Sequence, residues 1–238
     1  LRQQAHEALA AALMETGKPA EALQHFEKII VLGGEAGLAQ SYQRIAATLG
    51  RQSNRTDALE AMRVLAALHP DKAVAQYALA HLAVRVSDLD TATTAIDRAL
   101  AINPAWEDAA LFKERVLVSQ KDTAKVLKYY EQYLDSYPRS GNMRLGYARL
   151  LVDLKQWDKA REQFKRVAAD APRDAEAAFT IALLALQSNE LDEAELYLKR
   201  TLDLQPENDQ ARLYLGQVAE QRKQYDEAIQ WYSTIESA

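Results

Sequence analysis

Pro70, Pro104, Pro138, Pro172 and Pro206 follow one another at intervals of 34 residues, and of the six prolines only Pro19 lies outside the series. Proline has no N–H to donate and its ring collides with the preceding helical turn, so each one ends a helix. A chain punctuated this regularly is built from copies of one small unit, and a period of this length marks an array of structural repeats. A non-repeating helical bundle would have to place five prolines in register by accident.

Other positions recur with the same period. Twelve residues before each proline slot stand Ala22, Ala58, Ala92, Val126, Ala160, Ala194 and Ala228. Four residues later the side chain is large: Phe26, Met62, Ile96, Tyr130, Phe164, Leu198 and Tyr232. Twelve residues before the alanine slot it is mostly small: Ala10, Ala46, Ala80, Glu114, Ala148, Ala182 and Gly216. Just ahead of that small slot come Leu9, Ile45, Leu79, Lys113, Tyr147, Ile181 and Leu215.

This pattern resembles the tetratricopeptide repeat, and "LYLGQVAEQRKQYDEAIQWY" near the C-terminus carries the likeness most fully. The copies run over 3–36, 39–72, 73–106, 107–140, 141–174 and 175–208, with an incomplete 209–238. The resemblance implies an all-α, right-handed α-solenoid of seven helical hairpins, about fourteen helices. In such a hairpin the small residue of the first helix faces the alanine of the second, and the large slot fills the gap toward the next repeat. Ser140, Asp174 and Asn208 are expected to cap first helices, and Thr56, Asp90, Asp158, Asp192 and Asp226 to cap second helices.

Two stretches depart from the pattern. "VLGGEAGLAQ" has Gly33, Gly34 and Gly37, no proline and two extra residues, and reads either as a looser, hinge-like joint or as a neutral loop insertion. In the fourth repeat Lys113 and Glu114 occupy slots that should be apolar and small. A buried unpaired glutamate is costly, so the first helix there is expected to be rotated or shifted. Trp106, Phe112, Tyr129, Tyr130, Tyr133 and Tyr137 gather around it, as core filling or as a binding patch.

Composition narrows the functions. A net charge of −5 and a pI near 5.5 supply no general field for nucleic acid, so nucleic acid is not an expected partner. That weighs against the rival solenoid, the RNA-reading pentatricopeptide type, which needs a basic groove. With no cysteine there is no disulfide, thiolate metal site or cysteine nucleophile. His6, His25, His69 and His81 contain no pair at i, i+4, and no glycine-rich phosphate loop or GxSxG elbow occurs. No cofactor is implied, and catalysis is not expected. The longest apolar run, "AAFTIALLALQ", is too short to span a bilayer.

The expected role is therefore a protein-interaction scaffold, with a regulatory segment of a larger enzyme as an alternative. Some tetratricopeptide domains hold a C-terminal carboxylate in a lysine–asparagine clamp, but the matching positions here carry Glu7, Ala11, Gln43 and Ala47, so that clamp is missing. Projecting the first helices outward places Arg44, Arg51, His81, Arg85, Arg115 and Arg149 on the inner surface, with Tyr77, Phe112, Phe179 and Tyr214 facing the same groove. Two readings stay open. Either the groove binds an extended or helical partner segment with acidic and apolar residues, or the arginines pair with acidic neighbours and solvate the face.

A narrower likeness lies in "RLGYARLLVDLKQWDKAREQF" and "RLYLGQVAEQRKQYDEAIQWY", which resemble bacterial periplasmic tetratricopeptide lipoproteins that partner carboxyl-terminal processing proteases. It implies a periplasmic adaptor, with the cytoplasm as the other location. The chain begins at Leu1 rather than a methionine, which fits a trimmed N-terminal address. Ile229, Tyr232 and Ile235 in the last helix are expected to receive a following helix, so the chain reads as part of a longer array or as one that self-associates there.

Overall fold

Every proline of the series sits just past the end of a helix. The computed structural model describes residues 1–236, with side chains through 235, so the last repeat's boundary at 238 lies outside the described residues. Among them are fourteen α-helices and no strand. The first four hairpins are α1 (Arg2–Glu15) with α2 (Pro19–Gly33), α3 (Leu38–Leu49) with α4 (Arg55–Ala67), α5 (Ala73–Arg85) with α6 (Leu89–Ile102), and α7 (Glu107–Ser119) with α8 (Thr123–Ser136). Then follow α9 (Gly141–Asp153) with α10 (Trp157–Asp170), α11 (Ala175–Gln187) with α12 (Leu191–Leu204), and α13 (Asp209–Gln221) with α14 (Tyr225–Glu236). The fold is an all-α tetratricopeptide-type solenoid. The chain forms two compact units, Leu1–Tyr129 and the part from Tyr130 onward.

The slots behave as close-packed crossings require. Ala22, Ala58, Ala92, Ala160 and Ala194 are fully buried, opposite Ala10, Ala80, Ala148 and Ala182, also fully buried. Gly216 shows why the facing slot is small: a Cβ there would come within 2.2 Å of the Tyr232 ring. Leu9 is the apolar-slot exception, 46% exposed.

First-helix caps stand where expected. Asp174 accepts from the Ala177 N–H at 3.0 Å, Asn208 from Ala211 at 2.9 Å and Ser140 from Met143 at 3.4 Å. The second-helix caps stand two residues earlier than the sequence reading placed them. Asn54 accepts from Asp57 N–H, Asp88 from Thr91 and Asp122 from Lys125. Thr56, Asp90, Asp158, Asp192 and Asp226 lie at the second helical position. The aspartates among them favour the positive end of the helix dipole without capping it.

The turn inside each hairpin has its own periodicity. Ser87, Lys121, Lys155, Asn189 and Lys223 all adopt left-handed backbone, with φ between 57° and 65°, and Gly17 does so at 74°. These five residues are 34 apart. The three lysines accept a conformation that glycine adopts without steric cost.

Two glycines of the glycine-rich joint stand where the chain approaches its neighbours closely. A Cβ on Gly33 would lie 2.2 Å from Ser41 Oγ, and one on Gly37 would lie 2.5 Å from the Gly33 carbonyl oxygen. Buried Ser41 donates to the Ile29 carbonyl at 3.2 Å, and Gln3 Nε2 donates to the same oxygen. Without a proline in its slot, α2 continues to the residue directly before Gly34.

α7 is not rotated. It buries Ala109, Ala110, Phe112, Val116 and Leu117, each 34 residues after a buried position of α5. Lys113 and Glu114 are instead left half-exposed in a slot that other repeats bury. Lys113 pairs with Asp97 at 2.7 Å and lies over the Tyr129 ring. The aromatic residues of this repeat divide among several contacts. Trp106 and Phe112 meet Tyr77, while in the second unit Tyr130 stacks on Tyr147 and Tyr133 meets Tyr137.

Candidate partner-binding groove

In α5, Tyr77, His81 and Arg85 recur every four residues and so share one helix face. They line a groove of about 330 Å³ against α3, where Gln43, Ala46 and Ala47 form the facing wall. The two alanines leave the space, and Ala78 and Leu82 close its floor. Of this wall the sequence marks Gln43 and Ala47 as positions where the clamp residues are missing and Ala46 as a packing slot, none of them as groove lining.

One side of the groove is an aromatic assembly held by adjoining repeats. His81 stacks on Phe112 with centroids 4.0 Å apart, and Tyr77 meets His81 at 4.6 Å and Trp106 at 4.5 Å. Burial, reinforced by the Arg115 charge, pushes the His81 imidazole below its usual pKa. Burial likewise raises the Tyr77 phenol, and the Arg115 charge offsets this only in part. Both rings are therefore neutral in the physiological range. Arg115 itself is exposed and lies over the Phe112 face, 5.4 Å from the centroid. Arg85, also exposed, reaches the Gly50 carbonyl at 3.4 Å.

Arg44 and Arg51 are placed differently. Arg44 donates to Glu7 at 2.7 Å, Arg51 approaches the other carboxylate oxygen at 3.7 Å, and Thr48 donates to that oxygen at 2.8 Å. Burial raises the Glu7 pKa, but hydrogen bonds from Arg44 and Thr48 and the two arginine charges outweigh it and hold the carboxyl below its usual range. Arg44 of α3 and Arg51 just past its end thus engage Glu7 of α1; Arg85 is the cation that lines the groove, while Arg115, over the Phe112 ring, lies outside its lining.

The second unit holds the remaining three expected residues. Arg149 lines a smaller groove of about 210 Å³ with Leu145, Phe164, Asp174, Glu176 and Thr180. Phe179 and Tyr214 meet at 5.9 Å. Two other arginines of this unit have structural work. Arg144 and Arg212, each six residues after a proline, donate to the carbonyl of that proline and close its loop. They are the first residues of the two stretches that resemble the periplasmic lipoproteins.

No helix among the described residues is long and apolar enough to cross a membrane, and no group of three or more His, Asp or Glu side chains among them could hold a metal ion.

Solved structures with similar folds include YrrB, described as a tetratricopeptide-repeat protein with an unusual peptide-binding site, at TM-score 0.56 and 20% identity over 74% of this chain and 91% of that one. MamA from Desulfovibrio magneticus RS-1 aligns at TM-score 0.52 and 17% identity over 70% of this chain and 94% of that one. At these identities the likeness speaks to fold alone. No curated protein matches the chain. Two family models, both described as tetratricopeptide repeat, match residues 117–186 and 179–238. Together they cover just over half of the sequence, and the chain belongs to the tetratricopeptide-repeat family, whose members are generally protein-interaction scaffolds.

Proposed function

We propose that this chain is a non-catalytic scaffold that holds an extended partner segment, acidic and apolar in character, in the groove between α3 and α5. The observation that carries the reading is the convergence of Tyr77, His81 and Arg85 on one open groove of about 330 Å³. The apolar floor and neutral rings suit an apolar side chain, and Arg85 and Arg115 suit a carboxylate. Arginine beside aromatic rings is a frequent anchor composition at interfaces. That YrrB is described as having a peptide-binding site agrees with this use of the fold.

The test is an array of short peptides in which acidic and apolar residues alternate, beside an array with lysine in place of each acid. The acidic peptides should be retained and the basic ones not. R85E/R115E should lose them while the thermal midpoint stays nearly unchanged, and added salt should weaken the unmodified complex. Retention that survives both charge reversal and salt would defeat the reading.

Two finer proposals accompany it. The adaptor role toward a periplasmic processing protease rests on the two stretches beginning at Arg144 and Arg212. It fails if a purified processing protease of that class shows no association with the chain. Self-association through α14 rests on Ile229, which is 61% exposed. Sedimentation should show a concentration-dependent dimer that I229E abolishes.

A further inference from the structure

Gly50 is a glycine that its own backbone does not require. It ends α3 with φ −68° and ψ −9°, a right-handed conformation open to every residue type. In the other six repeats the same slot holds Met14, Val84, Val118, Val152, Leu186 and Glu220, none of them at positive φ. The repeat therefore accepts a side chain at this slot, and the reason for its absence lies in what packs against residue 50.

Arg85 takes that space. A Cβ on Gly50 would lie 2.7 Å from Arg85 Nε and 3.0 Å from Cζ, closer than the 3.1 Å to the Ala46 carbonyl of its own helix. The guanidinium lies over the glycine and donates to its carbonyl at 3.4 Å. Carbonyls at a helix end lack partners within the helix and carry the negative end of its dipole, so a cation rests there favourably. Gln43, Ala46, Ala47 and Gly50 follow at i, i+3, i+4 and i+7 and share one face of α3. The first three are the groove wall, and Arg85 comes last of Tyr77, His81 and Arg85 on the facing helix. The guanidinium thus bridges α5 and α3 at one end of the groove. It forms no ion pair among the described residues, so most of its five N–H donors are left for a ligand.

We propose that Gly50 is a positioning residue of the groove: its missing side chain is the seat that holds the Arg85 guanidinium across the end of α3, where the aspartate or glutamate carboxylate of a partner segment meets it. The inference rests on the reading of the groove as a site for an acidic and apolar segment. A larger residue at position 50 drives Arg85 off the seat, and its long side chain must then be ordered again whenever a ligand binds.

The contact itself can be observed without a ligand. In the isotopically labelled full chain, NMR should show a nuclear Overhauser effect between the Gly50 α protons and the Arg85 protons around Nε. The binding probe is the peptide acetyl-Leu-Asp-Leu-Asp-Leu-amide. R85Q should weaken its binding about tenfold, the loss of a hydrogen bond to a charged group, and G50A at least about threefold. The thermal midpoint of G50A should hold or rise, because alanine suits this backbone. G50A added to R85Q should weaken binding no further, whereas general damage to α3 would add to the loss. The role of Gly50 is overturned if G50A binds the peptide as the parent does, or if its loss persists in the R85Q background. Peptide binding without the Overhauser contact overturns the role of Gly50 alone. A parent chain that shows the contact but binds no peptide overturns the groove reading, and the positioning role falls with it.

Discussion

α5 and α7 occupy the same place in successive repeats, yet they are held differently. Ala75, Gln76, Ala78, Leu82 and Ala83 of α5 have Ala109, Ala110, Phe112, Val116 and Leu117 as their equally buried counterparts in α7. In the middle, α5 buries Leu79 and Ala80 at the crossing with its own second helix, where α7 leaves Lys113 and Glu114 half-exposed. α7 makes up apolar contact at a different place. Phe112 stands where α5 has Ala78, and its ring packs against Tyr77 and His81 of the preceding repeat. The repeat period thus dictates which helix face is buried, while the strength of each contact can move between the crossing inside a hairpin and the joint between hairpins.

The sharpest way to break this comparison is Phe112→Ala. If α7 is held mainly at the joint, the loss should be about 3–5 kcal/mol, the usual cost of a buried phenylalanine. A denaturant midpoint that scarcely moves would show that α7 is anchored elsewhere.

The crossing comes next. Ala80→Leu should cost about 1–3 kcal/mol by overpacking a fully buried slot, as should Ala160→Leu and Ala194→Leu. Glu114→Leu, in the equivalent half-exposed slot, should stay within about 0.5 kcal/mol. Equal losses at residues 80 and 114 would mean that the α7 crossing is as tight as the others.

A smaller gain is expected in the intra-hairpin turns. Lys155→Gly and Lys223→Gly should each raise stability by about 0.5–1 kcal/mol, because the left-handed conformation is free of steric cost only for glycine and part of that relief is offset by backbone entropy. Gly17→Ala should act in the opposite sense.

Acidification should reveal the joint as well. His81 titrates below its ordinary 6.5 because of burial and Arg115. His25 also does so, through burial, Lys28 and its neighbour His6, whose Nδ1 lies 2.9 Å away. A histidine whose folded pKa is depressed contributes stability above its unfolded value, and that contribution is lost as pH falls toward the folded value. The thermal midpoint should therefore drop as pH is lowered below 6.5, and R115Q should lessen the drop. A midpoint that rises on acidification would reverse the assignment.

The least effect belongs to Asp97→Asn. Lys113 and Asp97 have side chains 23% and 49% exposed, so the pair should contribute less than about 1 kcal/mol. Urea midpoints of the variant and parent chains would measure it.

Much of the fold was legible because it is local. A proline stops a helix within its own turn, and a serine, aspartate or asparagine two residues later caps the next one, as Ser140, Asp174 and Asn208 do. The second-helix caps were misread by two residues because aspartate suits both the cap and the first helical turn, and only the backbone bonds of Asp88 and Asp122 distinguish them. The left-handed turn had a weaker signal, since Gly17 and Asn189 suggest it but three lysines conceal it.

The candidate groove was half legible. Periodicity placed Tyr77, His81 and Arg85 on one face, but it could not say which arginines were already engaged. Glu7 is 37 residues from Arg44 and takes it up across the stack. It also could not show that alanines at 46 and 47 open a groove.

By itself, then, the sequence determined the number of hairpins and the faces they bury, because these follow from residue type at fixed spacing along one chain. The tertiary structure alone decided which charges are paired, why Gly33 must lack a side chain beneath Ser41, and where the grooves open. Those depend on distances between side chains from different repeats, set when helices pack at close range rather than by any order along the chain.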